Sequence, residues 1–232
     1  MLASSTPPWV SVAVDDPDVS VVGSVTSGAD VHVEVTSEGA SVFEGPAAVN
    51  GDYYEAAITL APGRDTITVT AALGGGSGSA TFETRYEPDA MVEFAFLTRV
   101  SVSEVVADYA QWLTGEEAAQ AAYEDGVIDS VEEGVPNDFY IRNANPLLRT
   151  LPLAPDVVVW LQTSAGGPVQ PVQVGVADWL ALFNDGTPWG EGERPPVEPP
   201  GFGFYGAGSV GTPYWLVILD SQVIAIEQQY LP

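Results

Sequence analysis

The stretch NGDYYEAAITLAPGRDTITVTA, residues 50–71, decides the reading of the first third of the chain. A turn signal, Asn50-Gly51-Asp52, precedes a segment in which Tyr54, Ala56, Ile58 and Leu60 fall on one face at period two. Pro62-Gly63-Arg64-Asp65 then turns the chain into a second run of the same kind. Period-two alternation places every second side chain on one side of a pleated strand, so these are strands with one buried face. Working outward, the pattern repeats in WVSVAV with Val10, Val12 and Val14, and in VHVEV with Val31, Val33 and Val35. Turn clusters separate the runs: DDPD at 15–18, SGAD at 27–30 and GGGSG at 74–78. About seven short strands in some 80 residues, with no helical period, predict an antiparallel β-sandwich over residues 8–87.

The order of these segments carries a resemblance. Val19 to Gly23 gives V-x-V-x-G, GADVHVEV follows, and then NGDYYEAAITLAPGRDTITVTA. This arrangement resembles the bacterial immunoglobulin-like modules related to glucodextranase domain B, with their "G-x-F … L-x-x-G-x-N-x-I-x-V-x-A" pattern. Tyr53 and Tyr54 stand near the aromatic position of that pattern, and Arg64-Asp65 replaces its usual Glu-Asn. The resemblance implies an immunoglobulin-like fold and names no chemistry, because that fold carries many functions.

Glu87-Pro88-Asp89-Ala90 reads as a linker. Beyond it, FAFLTRVSV and EVVADYAQWL read as strands. TGEEAAQAAYEDG reads as a short helix with Thr114 at its N-cap, Glu117 three residues on and Gly126 at its end. FYIRN and LRTLPLAPDVVVWLQ follow as strands, the latter with Val157, Val159 and Leu161 alternating. Val176, Trp179, Leu180 and Phe183 mark a short amphipathic helix. A hairpin of YWLVILD and VIAIEQQYL, turning at Asp220 to Gln222, closes the chain. With the capped helix set aside as an excursion, the order strand-strand-strand-helix-strand-strand predicts an OB-like five-stranded barrel over residues 91–232. The expected fold is therefore mainly β in two domains, an immunoglobulin-like sandwich followed by an OB-like small barrel with two short helices. A long Gly/Pro/aromatic loop at 184–213 interrupts the second, a length that marks function or mobility.

AQWLTGEEA, PNDFYIRNANPLLRTLPLAPD and the terminal YWLVILDSQVIAIEQQYLP carry a second resemblance. They are similar to segments of an uncharacterised group of exported, often lipoprotein-like actinobacterial proteins. Ser221-Gln222 departs from the turn Gly-Arg usual there, and Gln228 stands in place of Glu. This resemblance implies export to the cell surface or the extracellular space, and transfers no activity.

Composition narrows the function classes. Six basic residues, all arginine, face 32 acidic ones, for a formal charge of −26. Such a field repels the phosphate backbone that dominates nucleic-acid affinity, and anionic membrane surfaces too. The chain has no cysteine, and no stretch approaches the apolar length of a membrane span. Without lysine, Schiff-base and P-loop chemistry are excluded, and G-x-S-x-G and H-E-x-x-H are missing. MLASSTPPW lacks the features of a secretory signal, so an exported protein would carry its signal elsewhere.

Candidate site residues are few. Arg142 and Arg149 flank Asn143-Ala144-Asn145-Pro146, and two guanidiniums can clamp an anion bidentately. With Asp138, Asp156 and many other acids at hand, the stronger reading is that each pairs with a carboxylate or ties loop carbonyls. Trp189, Phe202, Phe204 and Tyr205 lie among the glycines and prolines of the long loop. They either stack on a sugar ring or protein surface or fold back over the barrel mouth. Asp15, Asp16 and Asp18 offer oxygen ligands to Ca²⁺ but lack the Gly and Glu positions of an EF-hand loop, so an ordinary turn is the stronger reading. His32, alone of its type, reads as a solvated strand residue.

Two functions follow as expectations. One is a non-enzymatic envelope or cell-surface module that binds a protein or glycan through the long loop. The other is a carbohydrate-active enzyme or its accessory domain, working through Asp/Glu pairs.

Overall fold

A computed structural model describes residues 16–163, 169–191, 193 and 206–231. Seven strands form the first unit: β1 (Asp18–Ser24), β2 (Asp30–Ser37), β3 (Ala40–Pro46), β4 (Ala48–Asn50), β5 (Tyr53–Thr59), β6 (Gly63–Leu73) and β7 (Gly76–Tyr86). They make two antiparallel sheets, β1-β5-β4 and β3-β2-β6-β7. The faces predicted by alternation are the buried ones: Val31, Val33, Val35, Tyr54, Ala56, Ile58, Ile67 and Val69 are each at most 4% exposed. Gly23 sits opposite Tyr54 in the β1–β5 pairing, and a side chain there would run into the Tyr54 ring, its Cβ 2.6 Å from the hydroxyl. The glycine makes room for a buried tyrosine ring in this core. The expected strand containing Val10, Val12 and Val14 lies outside the described residues.

The second unit adds β8 (Met91–Val100), β9 (Glu104–Tyr109), β10 (Gln111–Thr114), α1 (Gly115–Glu124), β11 (Phe139–Arg142), β12 (Leu148–Thr163), β13 (Gln170–Val174), α2 (Val176–Leu180), β14 (Pro213–Leu219) and β15 (Gln222–Gln228). Strands β8, β9, β12, β15 and β14 close on one another in that order, and β12 runs parallel to β15 while the other pairs are antiparallel. This is the closed five-strand barrel of the OB arrangement, with α2 between its third and fourth strands. Closure depends on the 16-residue β12, whose first half pairs with β9 and whose second half pairs with β13 and, mostly, β15. The register shifts between Leu153 and Val158, where Pro155 interrupts the ladder and the strand can bend round the barrel.

Ala95, Leu97, Val105, Ala107, Leu161, Leu216 and Ile226 fill the barrel, and Trp179 and Phe183 from α2 and its following turn stop one end. The β14–β15 hairpin turns through Asp220 and Ser221, both at positive φ (49° and 65°), as a two-residue turn matched to strand twist requires.

Two local expectations need correction. EVVADYAQWL is two strands, not one, because Ala110 leaves the barrel edge and donates to the Phe94 carbonyl (3.0 Å), after which β10 pairs with β11. Thr114 does stand at the N-cap of α1, but its side chain makes no capping hydrogen bond.

The sandwich and the barrel share apolar packing. Val158, Trp160, Val217 and Ala225, on the outer barrel wall, belong to the same buried cluster as Val33, Ile67 and Phe82 of the sandwich. Phe82 meets Trp160 edge to face with ring centroids 5.6 Å apart, and Trp160 is 1% exposed.

Candidate functional site

The arginines flanking the Asn-Pro bend are both internally engaged, by different means. Arg142 on β11 donates to Glu124 Oε2 (3.1 Å) and Asp125 Oδ1 (2.6 Å) at the end of α1, and Tyr140 donates to the other Asp125 oxygen (3.1 Å). The Gln120 amide and then the Arg142 guanidinium lower the Glu124 carboxyl below its ordinary range. The Arg142 hydrogen bond does the same for Asp125. Arg142 therefore clips α1 onto the excursion strands.

Arg149 has no carboxylate within ion-pairing distance among the described residues. Its guanidinium lies 4.2 Å over the Tyr109 ring and donates to the Leu147 carbonyl (3.0 Å). The bend also ties itself, through Asn143 to Asp108 (2.8 Å) and the Leu147 amide to Asn145 (3.1 Å). Arg142 takes carboxylates and Arg149 a loop carbonyl, but neither takes the two acids named from the sequence. Asp156 binds Arg64 and Arg85 across the junction instead, and among the described residues no ion pair is found for Asp138.

The carboxylates considered for Ca²⁺ serve a turn. Asp16 accepts from the Asp18 amide (2.9 Å), and Asp18 accepts from the Thr59 hydroxyl (2.6 Å). Asp15 lies outside the described residues. Among the described residues no group of three or more His, Cys, Asp or Glu side chains is placed to hold a metal ion. His32 is half exposed with Nε2 3.3 Å from Glu44 Oε1.

Of the loop aromatics, Phe202, Phe204 and Tyr205 lie outside the described residues. Trp189 is half-buried, and its indole nitrogen is buried with no hydrogen-bond partner among the described residues. Its amide donates to the Gly208 carbonyl (2.7 Å), and its carbonyl accepts from Val210 (2.8 Å). The far side of the loop packs on the barrel end: Ala207 is 2% exposed, and Gly208 passes so close to α2 that an added Cβ would fall on the Leu182 carbonyl oxygen. Gly208 donates to the Tyr214 hydroxyl (3.3 Å), whose pKa burial pushes up to about 12. Trp189 and residues 206–210 thus lie over the barrel mouth, while the other three aromatics of the loop fall outside the described residues.

Sequence reasoning missed the largest cavity described, about 540 Å³, where the sandwich meets the barrel. Thr81, Phe82 and Glu83 of β7 form one wall, and Trp160, Gln173 and Gly175 stand among the residues opposite. Arg64 pairs with Glu83 (3.2 Å) and Asp156 (3.4 Å), and it also donates to the Asp156 carbonyl. Arg85 joins Asp156 (3.1 Å) to Glu87 (3.1 Å). The Glu83 amide donates to Gln173 Oε1 (3.0 Å), a direct bond between sandwich and barrel. One signal was available. Val157 to Leu161 is apolar on both alternating faces, the mark of a strand covered on both sides. What covers the second face, Phe82, is 78 positions away in sequence from Trp160, beyond the reach of any local pattern.

No family model, no curated protein and no solved structure matches this chain.

Proposed function

We propose that the protein is a non-enzymatic binding module working outside the cell, on a surface or envelope, with the junction cavity as its ligand site. The observation that carries this reading is a roomy cavity built jointly by two β units, whose charged lining is bound to itself. Glu83 and Asp156 are each engaged by a guanidinium, an arrangement that shapes a pocket and orients a ligand. A volume of about 540 Å³ lies within the range of small-ligand and peptide pockets. The surplus of carboxylates and the C-terminal resemblance to exported proteins support the location. No helix among the described residues is long and apolar enough to cross a membrane.

The test is retention of labelled full-length protein on intact cells, on cell-wall polysaccharide and on extracellular protein fractions, alongside a panel of polysaccharide and glycoside substrates. The expected result is retention on one of these materials with no turnover. Turnover abolished by a single Asp or Glu change would favour the carbohydrate-active reading, and absence of retention on every material would overturn the binding role.

A further inference from the structure

The junction cavity is bounded by two strands that each have one hydrogen-bonded neighbour. β7 ends the four-stranded sheet, paired with β6, and β13 ends the barrel sheet, paired with β12. Among the described residues, no strand pairs with the outer edge of either. An open edge presents a row of main-chain donors and acceptors that seek a partner. The direction of this edge is fixed by one bond: the Glu83 amide points away from β6, to Gln173 Oε1 on β13. Main-chain groups alternate in direction along a strand, so the Thr81 amide, two residues earlier, also faces outward on the cavity side.

We propose that this slot takes an extended, cationic segment of a partner protein, which enters as a strand between β7 and β13. Main-chain hydrogen bonds to the Thr81 edge would supply affinity, and alternate side chains of the partner would rest on Phe82, Val158 and Trp160. The charge of the partner follows from the rim. Arg64 and Arg85 face Glu83, Glu87 and Asp156, and Asp178 stands beside Gly175, with Oδ2 3.7 Å from where a side chain on that glycine would begin. Two guanidiniums against four carboxylates, in a chain of net charge −26, favour lysine- or arginine-bearing segments. The inference rests on the binding-module reading and names the partner class at the same site.

The probe is a short peptide of alternating threonine and valine with a lysine at each end, titrated into the isotope-labelled full-length chain and followed by NMR. Backbone amides of Ala80 to Glu83 and Val172 to Val174 should shift together. Affinity should fall by about tenfold or more when alternate peptide amides are N-methylated. Two variants of the protein should have the same effect. Gly175→Phe fills the slot from a position whose Cβ meets nothing closer than 3.7 Å. Thr81→Pro removes an outward donor at a strand edge that tolerates proline.

Three NMR results would overturn the proposal. The first is shifts that are absent or confined to other surfaces. The second is equal binding of the N-methylated peptide. The third is cross-slot amide contacts between residues 9–14 and Thr81 in the free chain, which would assign the slot to the protein's own N-terminal segment. Retention on surface material that persists in Gly175→Phe would reject the slot and leave the broader binding role standing.

Discussion

The barrel carries two attachments, and ion pairs play a different part in each. On one flank the sandwich shares a continuous apolar cluster with the outer barrel wall, centred on Phe82 against Trp160, and ion pairs only rim it. On another flank the excursion β10-α1-β11 meets the barrel through half-buried Trp112 against buried Phe94, and a surface clip holds the excursion together internally. Trp112 stacks on Phe139 (4.5 Å, 12° between planes) and meets Phe94 at 5.5 Å, and Arg142 holds the end of α1. Burial of apolar area is insensitive to moderate salt, whereas exposed ion pairs are screened by it. The sandwich contact should therefore behave as core, and the clip within the excursion as an adjustable surface tie.

The largest expected effect breaks the core-like contact. Trp160→Ala should cost about 3–5 kcal/mol in urea unfolding, the range for emptying a buried aromatic site. A loss below about 1 kcal/mol would show that sandwich and barrel merely touch. Gly208→Ala should cost about 1–3 kcal/mol, since positive φ (78°) and the Leu182 carbonyl both exclude a side chain. That loss belongs to the barrel mouth, so it should leave the Phe82–Trp160 packing, read by aromatic side-chain NMR, unchanged.

A third prediction sharpens the comparison inside the sandwich. Asp65 is fully buried, with Oδ1 unpartnered beside an equally unpartnered Thr84 hydroxyl on the paired strand. Desolvation raises its pKa above the ordinary 3.8, against the lowering effect of hydrogen bonds from Ser37 and the Ala61 amide. The native state thus holds this proton at a pH where the unfolded chain has released it. The contribution of Asp65 to stability falls as pH climbs from about 3.8 to the raised native value, then stays level. Asp65→Asn removes that slope. It should stabilise the protein by about 1 kcal/mol at neutral pH and converge with the wild type in acid, as read from pH-dependent urea midpoints.

The smallest effect is expected at the surface clip. Arg142→Gln should leave the global unfolding midpoint in place, while hydrogen exchange of the α1 amides quickens at low salt and approaches the wild-type contrast at high salt. A shift in the global midpoint would make the clip part of the core.

Much of this architecture was legible because it is periodic. Tyr54, Ala56, Ile58 and Leu60 declare their buried face, and the strand-helix-strand order beyond Met91 matched the barrel, since each element answers to local rules of spacing and turn chemistry. The site was less legible because it is a relation between distant residues. Arg64 meets Asp156 across 92 positions, and Glu83 meets Gln173 across 90. Neither pairing leaves a mark on its own neighbourhood, and in a chain with 32 acids no arginine announces which carboxylate it will take. Arg149 shows this plainly: amid abundant acid it rests on the Tyr109 ring. The loop was half legible, since its glycines and Trp189 signalled something unusual without telling a ligand platform from a lid.

Native-state hydrogen exchange, measured on the β6 amides of the sandwich and the β15 amides of the barrel along a urea series, tests the shared junction most directly. The most protected amides of both should converge on one global unfolding free energy and one urea dependence. Sandwich amides that exchange through a separate, cheaper opening while the barrel stays protected would contradict it.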